Sequence, residues 1–285
     1  MEGKILSTVG GVYSIYSDGI TYNVFPKGNL RFKNKYLNVG DNVIFDDENL
    51  VILDVLDRKD IAGIIMEPVK SALPNPNMDL YKRIVDRGIK VLFINSFYPE
   101  LDLPHVSIND EECAYKAVKA LINAGHKDIG CILKLDDGQG RERYRGYLRA
   151  MTEFGLPFTY DHVNFIDTID IKDGARALSR VKERLKGCSA VFCYNDQVAG
   201  MLMQILSEDG LKLPDDMSVI GMDDSDIARM GVDGVMISSI PHPKHRLGEK
   251  AAQNMIRLIH EQKVTFNATY EFSEDVILRD SIKEK

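Results

Sequence analysis

Two apolar runs in this sequence end in the same way. Val191-Phe192-Cys193-Tyr194 stops at Asn195-Asp196, and Val219-Ile220-Gly221-Met222 stops at Asp223-Asp224. Asn95 closes the run "KVLFI", and Asp136-Asp137 follows "GCILKL". Carboxamides and carboxylates grouped on one rim suit a hydroxyl-rich ligand, because each hydroxyl both donates and accepts a hydrogen bond. A second reading stands beside this one: Asn and Asp are favoured helix N-caps, and a helix-like pattern follows each run. Any one pair fits a cap. Four at the same point of successive units tip the balance towards a polar pocket.

Other chemistry finds less support. Gly138-x-Gly140 lies between a strand-like run and a helix, as in a dinucleotide fingerprint, but the third glycine position holds Arg143. A bulky side chain there obstructs close pyrophosphate approach. His242 and His245 are three residues apart with no carboxylate or thiol at local ligand spacing, so no metal site is expected. No G-x-S-x-G elbow occurs, and neither an enzyme nor a cofactor is expected. Cys113, Cys131, Cys188 and Cys193 form no C-x-x-C pair; Cys131 and Cys193 sit in apolar runs and read as buried thiols.

The elements that position these residues follow two grammars. Residues 1–60 carry short β-favouring segments, "GVYSIYS", "ITYNVFP", "DNVIFDD" and "NLVILDV", separated by Gly, Asp and Asn turns. They predict a barrel of about five strands, since closure hides the strand edges. From Ile61 the rhythm is strand, helix, strand, helix, beginning with "IAGIIMEP" and continuing through "MDLYKRIVDRG", "IKVLFINS" and "NDEECAYKAVKALINAGH". Repeated units of this kind specify doubly wound parallel α/β architecture, in which ligands bind beyond the carboxyl ends of the strands. Two domains, 1–60 and 61–285, are expected. The final helix places Leu247, Ala251, Met255 and Leu258 on one face, a core stripe.

Bulk properties bound the function. A net charge of -7 in 285 residues argues against a broad nucleic-acid footprint. No run approaches the roughly 18 apolar residues that a membrane helix needs, and the cytoplasm is the expected compartment.

"CYNDQVA…LPDDMSVIGMDDSDIA…ISSIPHPKHRLGEKAA" resembles the effector-binding domain of the LacI/GalR repressor family. "IIMEPVKSALPNPN", "FINSFYPEL" and "LKLDDGQG" place it with arabinose-repressor-type regulators. The resemblance covers about residues 61–285 and implies a periplasmic-binding-protein-like fold, a small L-arabinose-like sugar effector and a homodimer. It implies ligand contacts at Asn95, Arg143, Asn195, Asp223 and His242. Arg143, four residues into "GRERYRG" with Gly146 three further on, would clamp sugar hydroxyls. A surface ion pair with Glu142 or Glu153 is its alternative, and a satisfied core imidazole is that of His242. Glu67 and Lys70 are further candidates. The family's first two strand–helix units and its DNA-binding head do not read in residues 1–60, so DNA is expected only indirectly or through another segment.

"GKILSTVGGVYSIYSDGITYNVFPKGNLRFKNKYLNVGDNVIF" resembles the OB-fold start of RsgA-type ribosome-dependent GTPases. That barrel contacts ribosomal RNA in its family, and Arg31, Phe32 and Lys33 are the contacts it implies here. Residues 1–60 hold seven Lys/Arg against nine Asp/Glu, and no G-x-x-x-x-G-K-[ST] loop is present, so GTP hydrolysis is not expected.

Overall fold

The computed structural model describes residues 1–285 apart from 10, 27–36, 56–60, 69–70, 76–77, 158, 169, 171–174 and 261–266. It divides into two compact units, Met1–Ile61 and Ala62–Lys285.

The first unit is a closed barrel of β1 (Glu2–Val9), β2 (Val12–Ser17), β3 (Ile20–Pro26), β4 (Asn42–Asp46) and β5 (Val51–Val55). The strands run β1-β2-β3-β5-β4, and β4 closes on β1 through Glu2 opposite Ile44. Alternation drives closure: Ile5, Ile15, Val24, Val43, Phe45 and Ile52 point inward and are buried, while neighbours such as Tyr16 and Phe25 stay exposed. The β2–β3 hairpin turns on Asp18 and Gly19, both at positive φ (49° and 86°), which a two-residue turn matching strand twist requires.

The second unit opens with β6 (Gly63–Met66), α1 (Met78–Asp86), β7 (Lys90–Asn95) and β8 (His105–Ile108). Then follow α2 (Asp110–Asn123), β9 (Ile129–Lys134), α3 (Gly138–Glu153), β10 (Val163–Ile166) and α4 (Ala175–Arg184). The chain continues through β11 (Ala190–Cys193), α5 (Asp196–Glu208), β12 (Ser218–Asp223) and α6 (Asp226–Met230). It finishes with β13 (Ser238–Pro241), α7 (Lys244–His260) and β14 (Tyr270–Phe272). Two parallel sheets result, β14-β8-β7-β6 and β10-β9-β11-β12-β13, so the unit has two lobes. Three connections pass between them: after β8, after β13 and after β14, where Ile277 pairs with Ser239 of the larger sheet. One apolar core spans both sheets and takes in Leu92 and Val106 of the smaller and Phe192 and Ile220 of the larger. Leu247, Ala251, Met255 and Leu258 of α7 are buried, as are all four cysteines.

The run "IAGIIMEP" departs from the expectation of a strand covered on both faces. β6 is the outermost strand of its sheet, and Ile65 remains 39% exposed. Among the described residues, no helix is long and apolar enough to cross a membrane.

Candidate functional site

A cleft of about 400 Å³ opens where the strand ends of the two sheets face one another. That size lies within the range of small-molecule pockets. Asn95, Arg143, Asn195, Asp223 and His242 all line it, together with Glu67, Gln139, Tyr194 and Lys244. The five residues singled out in the sequence thus share one cavity.

Arg143 sits on the second turn of α3 and is 2% exposed. A guanidinium in that environment needs a partner. Nε donates to Asp110 Oδ1 at 2.8 Å, Nη1 donates to the Tyr194 carbonyl oxygen, and the group lies 4.5 Å from the Tyr194 ring centre. Gly146 makes this pairing possible. A Cβ there would fall 2.2 Å from the Glu111 carbonyl oxygen and 2.8 Å from Ala114 Cβ, so only glycine lets α3 approach the start of α2. The surface-pair alternative is corrected: Glu142 pairs with Arg145, and Glu153 accepts from Tyr115. Nη2 of Arg143 hydrogen-bonds to no described residue, which leaves that edge for a ligand. Burial pushes the Asp110 carboxyl up to about 6 against the pull of the Arg143 charge.

Asn95 and Asp223 end β7 and β12 at φ 66° and 103°. Asn and Asp tolerate this left-handed region better than most residues, and here it turns the last side chain of each strand out of the sheet. The Asp223 carboxylate accepts no hydrogen bond from any described residue, although its carbonyl oxygen accepts from the His242 amide at 3.2 Å. Asn95 is heavily engaged. Its Nδ2 donates to Glu67, and its Oδ1 accepts from Gln139 Nε2 at 3.4 Å and meets His242 Nε2 at 2.8 Å. Burial lowers the pKa of His242, with Asp223 pulling the other way, so the imidazole is neutral at pH 7.

Asn195 satisfies both readings of the strand ends at once. Its Oδ1 caps α5 by accepting from the Val198 amide at 3.0 Å, which leaves its amide NH2 for the cleft. The second residues of the pairs are structural. Asp196, pushed up to about 6 by burial, accepts from Ser239 Oγ at 2.6 Å and the Ser225 amide at 2.7 Å. Asp224 binds Arg229 and Arg279. The Asp136-Asp137 pair is a correction to the pocket expectation. Asp137 caps α3 and accepts from Tyr194 Oη and Lys134, while Asp136 binds Thr168, and neither lines the cleft. Sequence reasoning missed Asp110, Gln139 and Tyr194, which act through contacts distant in the chain; the acidic start of α2 was the only local signal. Lys70, Arg31, Phe32 and Lys33 lie outside the described residues.

A neighbouring cavity of about 230 Å³ shares Asn95 and Gln139 with the cleft. Its carboxylates are already engaged: Glu111 with Arg149, Glu142 with Arg145, and Glu271 with His105. Its remaining charged lining is Asp110, paired with Arg143, and the exposed Arg141. Among the described residues, no group of His, Cys, Asp or Glu could hold a metal ion.

The comparisons with known proteins bear on the family and the fold. Residues 2–50 match the RsgA N-terminal domain. The arabinose metabolism transcriptional repressor of Geobacillus stearothermophilus is 32% identical over 237 residues, 81% of this chain and 64% of the repressor. The repressor of the same name from Halalkalibacterium halodurans is 30% identical over 230 residues, 78% of this chain and 60% of its own length. The chain thus spans less than two thirds of these relatives. A sugar-binding LacI-family transcriptional regulator from Escherichia coli, solved with phosphate, superimposes with a TM-score of 0.64 at 26% identity over 79% of this chain and 78% of that one. Residues 118–282 match the periplasmic binding protein-like domain, and on that match the chain belongs to this family, in the form found as the effector-binding part of LacI-type regulators.

Proposed function

We propose that the cleft binds a small sugar, L-arabinose or a close relative, and that occupancy shifts the arrangement of the two lobes. In a transcriptional regulator this shift is the signal, with DNA contacted through another segment or a partner and the chain acting as a homodimer. One observation carries the reading. Arg143 is buried and fixed by Asp110, and it lines the same cavity as Asn95, Asn195, Asp223 and His242. A fixed guanidinium with carboxylate and amide neighbours matches vicinal hydroxyls. Thermal unfolding with and without sugar tests it. Ligand at about 100 times its Kd stabilises by about 2.7 kcal/mol, and Asp223→Ala is expected to abolish the shift. No shift with any pentose or hexose would remove the reading.

A second reading is favoured by the closed barrel and by the match of residues 2–50 to the RsgA N-terminal domain. In it the barrel binds RNA, with exposed Tyr16 and Phe25 supplying stacking surfaces. Co-sedimentation with small ribosomal subunits that weakens steeply with salt is its expected outcome.

A further inference from the structure

Four side chains lining the cleft carry formal charge at pH 7: Glu67, Arg143, Asp223 and Lys244. Lys244 is exposed at the mouth, where solvent screens it. Arg143 is buried, and Asp110 meets its charge at 2.8 Å, which largely offsets it, although the guanidinium still acts on the His242 imidazole. Glu67 and Asp223 remain. Neither forms an ion pair with any described cation. Both act on the same imidazole: Asp223 and, more weakly, Glu67 pull His242 towards protonation, while burial and the Arg143 and Lys244 charges pull the other way.

His242 adds to the imbalance. The Asn95 amide nitrogen is turned to Glu67, so Asn95 Oδ1 is an acceptor and His242 Nε2 must be the donor at 2.8 Å. The opposite nitrogen, Nδ1, is then a bare acceptor. It is buried and has no hydrogen-bond partner among the described residues, so a ligand reaches it only if the side chain shifts. Two carboxylates thus line a cleft whose uncommitted donors are the Arg143 edge, the Asn195 amide and the exposed Lys244 ammonium. A hydroxyl or ammonium hydrogen satisfies such acceptors with a charge-assisted bond, whereas an anion meets unpaired like charge in a partly desolvated site.

We infer that the cleft selects its ligand by charge: it admits a polyol that is neutral or bears an ammonium group, and refuses phosphorylated and carboxylate-bearing sugars. Asp223 and Glu67 are the specificity-determining residues. The inference rests on the sugar-binding reading above.

Calorimetric titration of the full chain tests it, using pentoses and hexoses as free sugars, as amino sugars, as sugar phosphates and as uronates. For the sugar that binds, its amino form is expected to bind at least as tightly. Its phosphate and uronate should bind about a hundredfold more weakly or worse. Asp223→Asn combined with Glu67→Gln should bring that gap within about tenfold; both changes keep side-chain shape, and Asn tolerates the φ of 103° at this position. On the unaltered chain, added salt should strengthen the anionic forms relative to the neutral one, a readout that needs no variant. Anionic and neutral forms binding alike would overturn the charge rule and leave the sugar site standing. A gap unchanged by both the double substitution and salt would overturn it too. Failure of every compound to bind would sink the sugar reading itself.

Discussion

The two sheets of the larger unit share a cleft, but their surroundings differ. In the five-stranded sheet all four residues of β11 are buried, and α5 buries Val198, Ala199, Leu202, Met203, Ile205 and Leu206 against it. In the four-stranded sheet α1 contributes no buried residue, Leu80 is 45% exposed, and Ile65 of β6 is 39% exposed. Apolar runs of similar composition therefore have different fates. A strand's sequence records that it is apolar, while its burial depends on what packs against it. The five-stranded lobe is a finished framework, and the other lobe ends in a thinly covered margin.

Substitutions in the finished lobe should break the comparison most visibly. Arg143→Leu leaves Asp110 buried without its partner, and a cost of about 3–5 kcal/mol is expected in urea unfolding. Adding Asp110→Asn to that variant should recover part of the loss. Phe192→Ala, at a fully buried position of β11, should cost about 3–5 kcal/mol.

A titration sharpens the contrast next. Asp196 is pushed up to about 6 from an ordinary value of 3.8. Between those values the folded state binds the extra proton, so stability should fall as pH rises from about 4 to about 6. The slope per group is at most about 1.4 kcal/mol per pH unit. Asp110, raised in the same way, adds to it. Asp196→Asn should flatten the curve measured by urea midpoints across that window.

The smallest effects belong to the thin margin. Ile65→Ala and Leu80→Ala should each cost less than about 1 kcal/mol, because much of each side chain already meets water. Losses as large as that of Phe192→Ala would erase the distinction between the lobes.

Much of the fold was legible because periodicity and punctuation act locally. The segment "ITYNVFP" became β3 residue for residue, and Asn109 caps α2 by accepting from the Glu112 amide at 2.9 Å. β8 and β14 were not legible. Each is short, and β14 exists because Tyr270–Phe272 returns to pair with Val106–Ile108, about 160 residues earlier. At the cleft, residue type located the strand ends but could not separate a free group from one already engaged. Asp223 and Asp224 are adjacent and chemically identical, yet one faces the cavity and the other binds two arginines. Likewise, the anchoring of Arg143 depends on Asp110, 33 residues away in the chain.

The close approach at Gly146 has a mechanical consequence. With no room between α2 and α3, Asp110 and Arg143 cannot drift apart without separating two whole helices. The larger lobe should therefore swing as one stiff jaw. Bending must concentrate in the short connections after β8, β13 and β14, and His242 lies on the middle one, tied by Asn95 to the opposite jaw. A ligand that takes over the Asn95 oxygen would release that catch at the pivot, where a small displacement is levered into a large one at the far end.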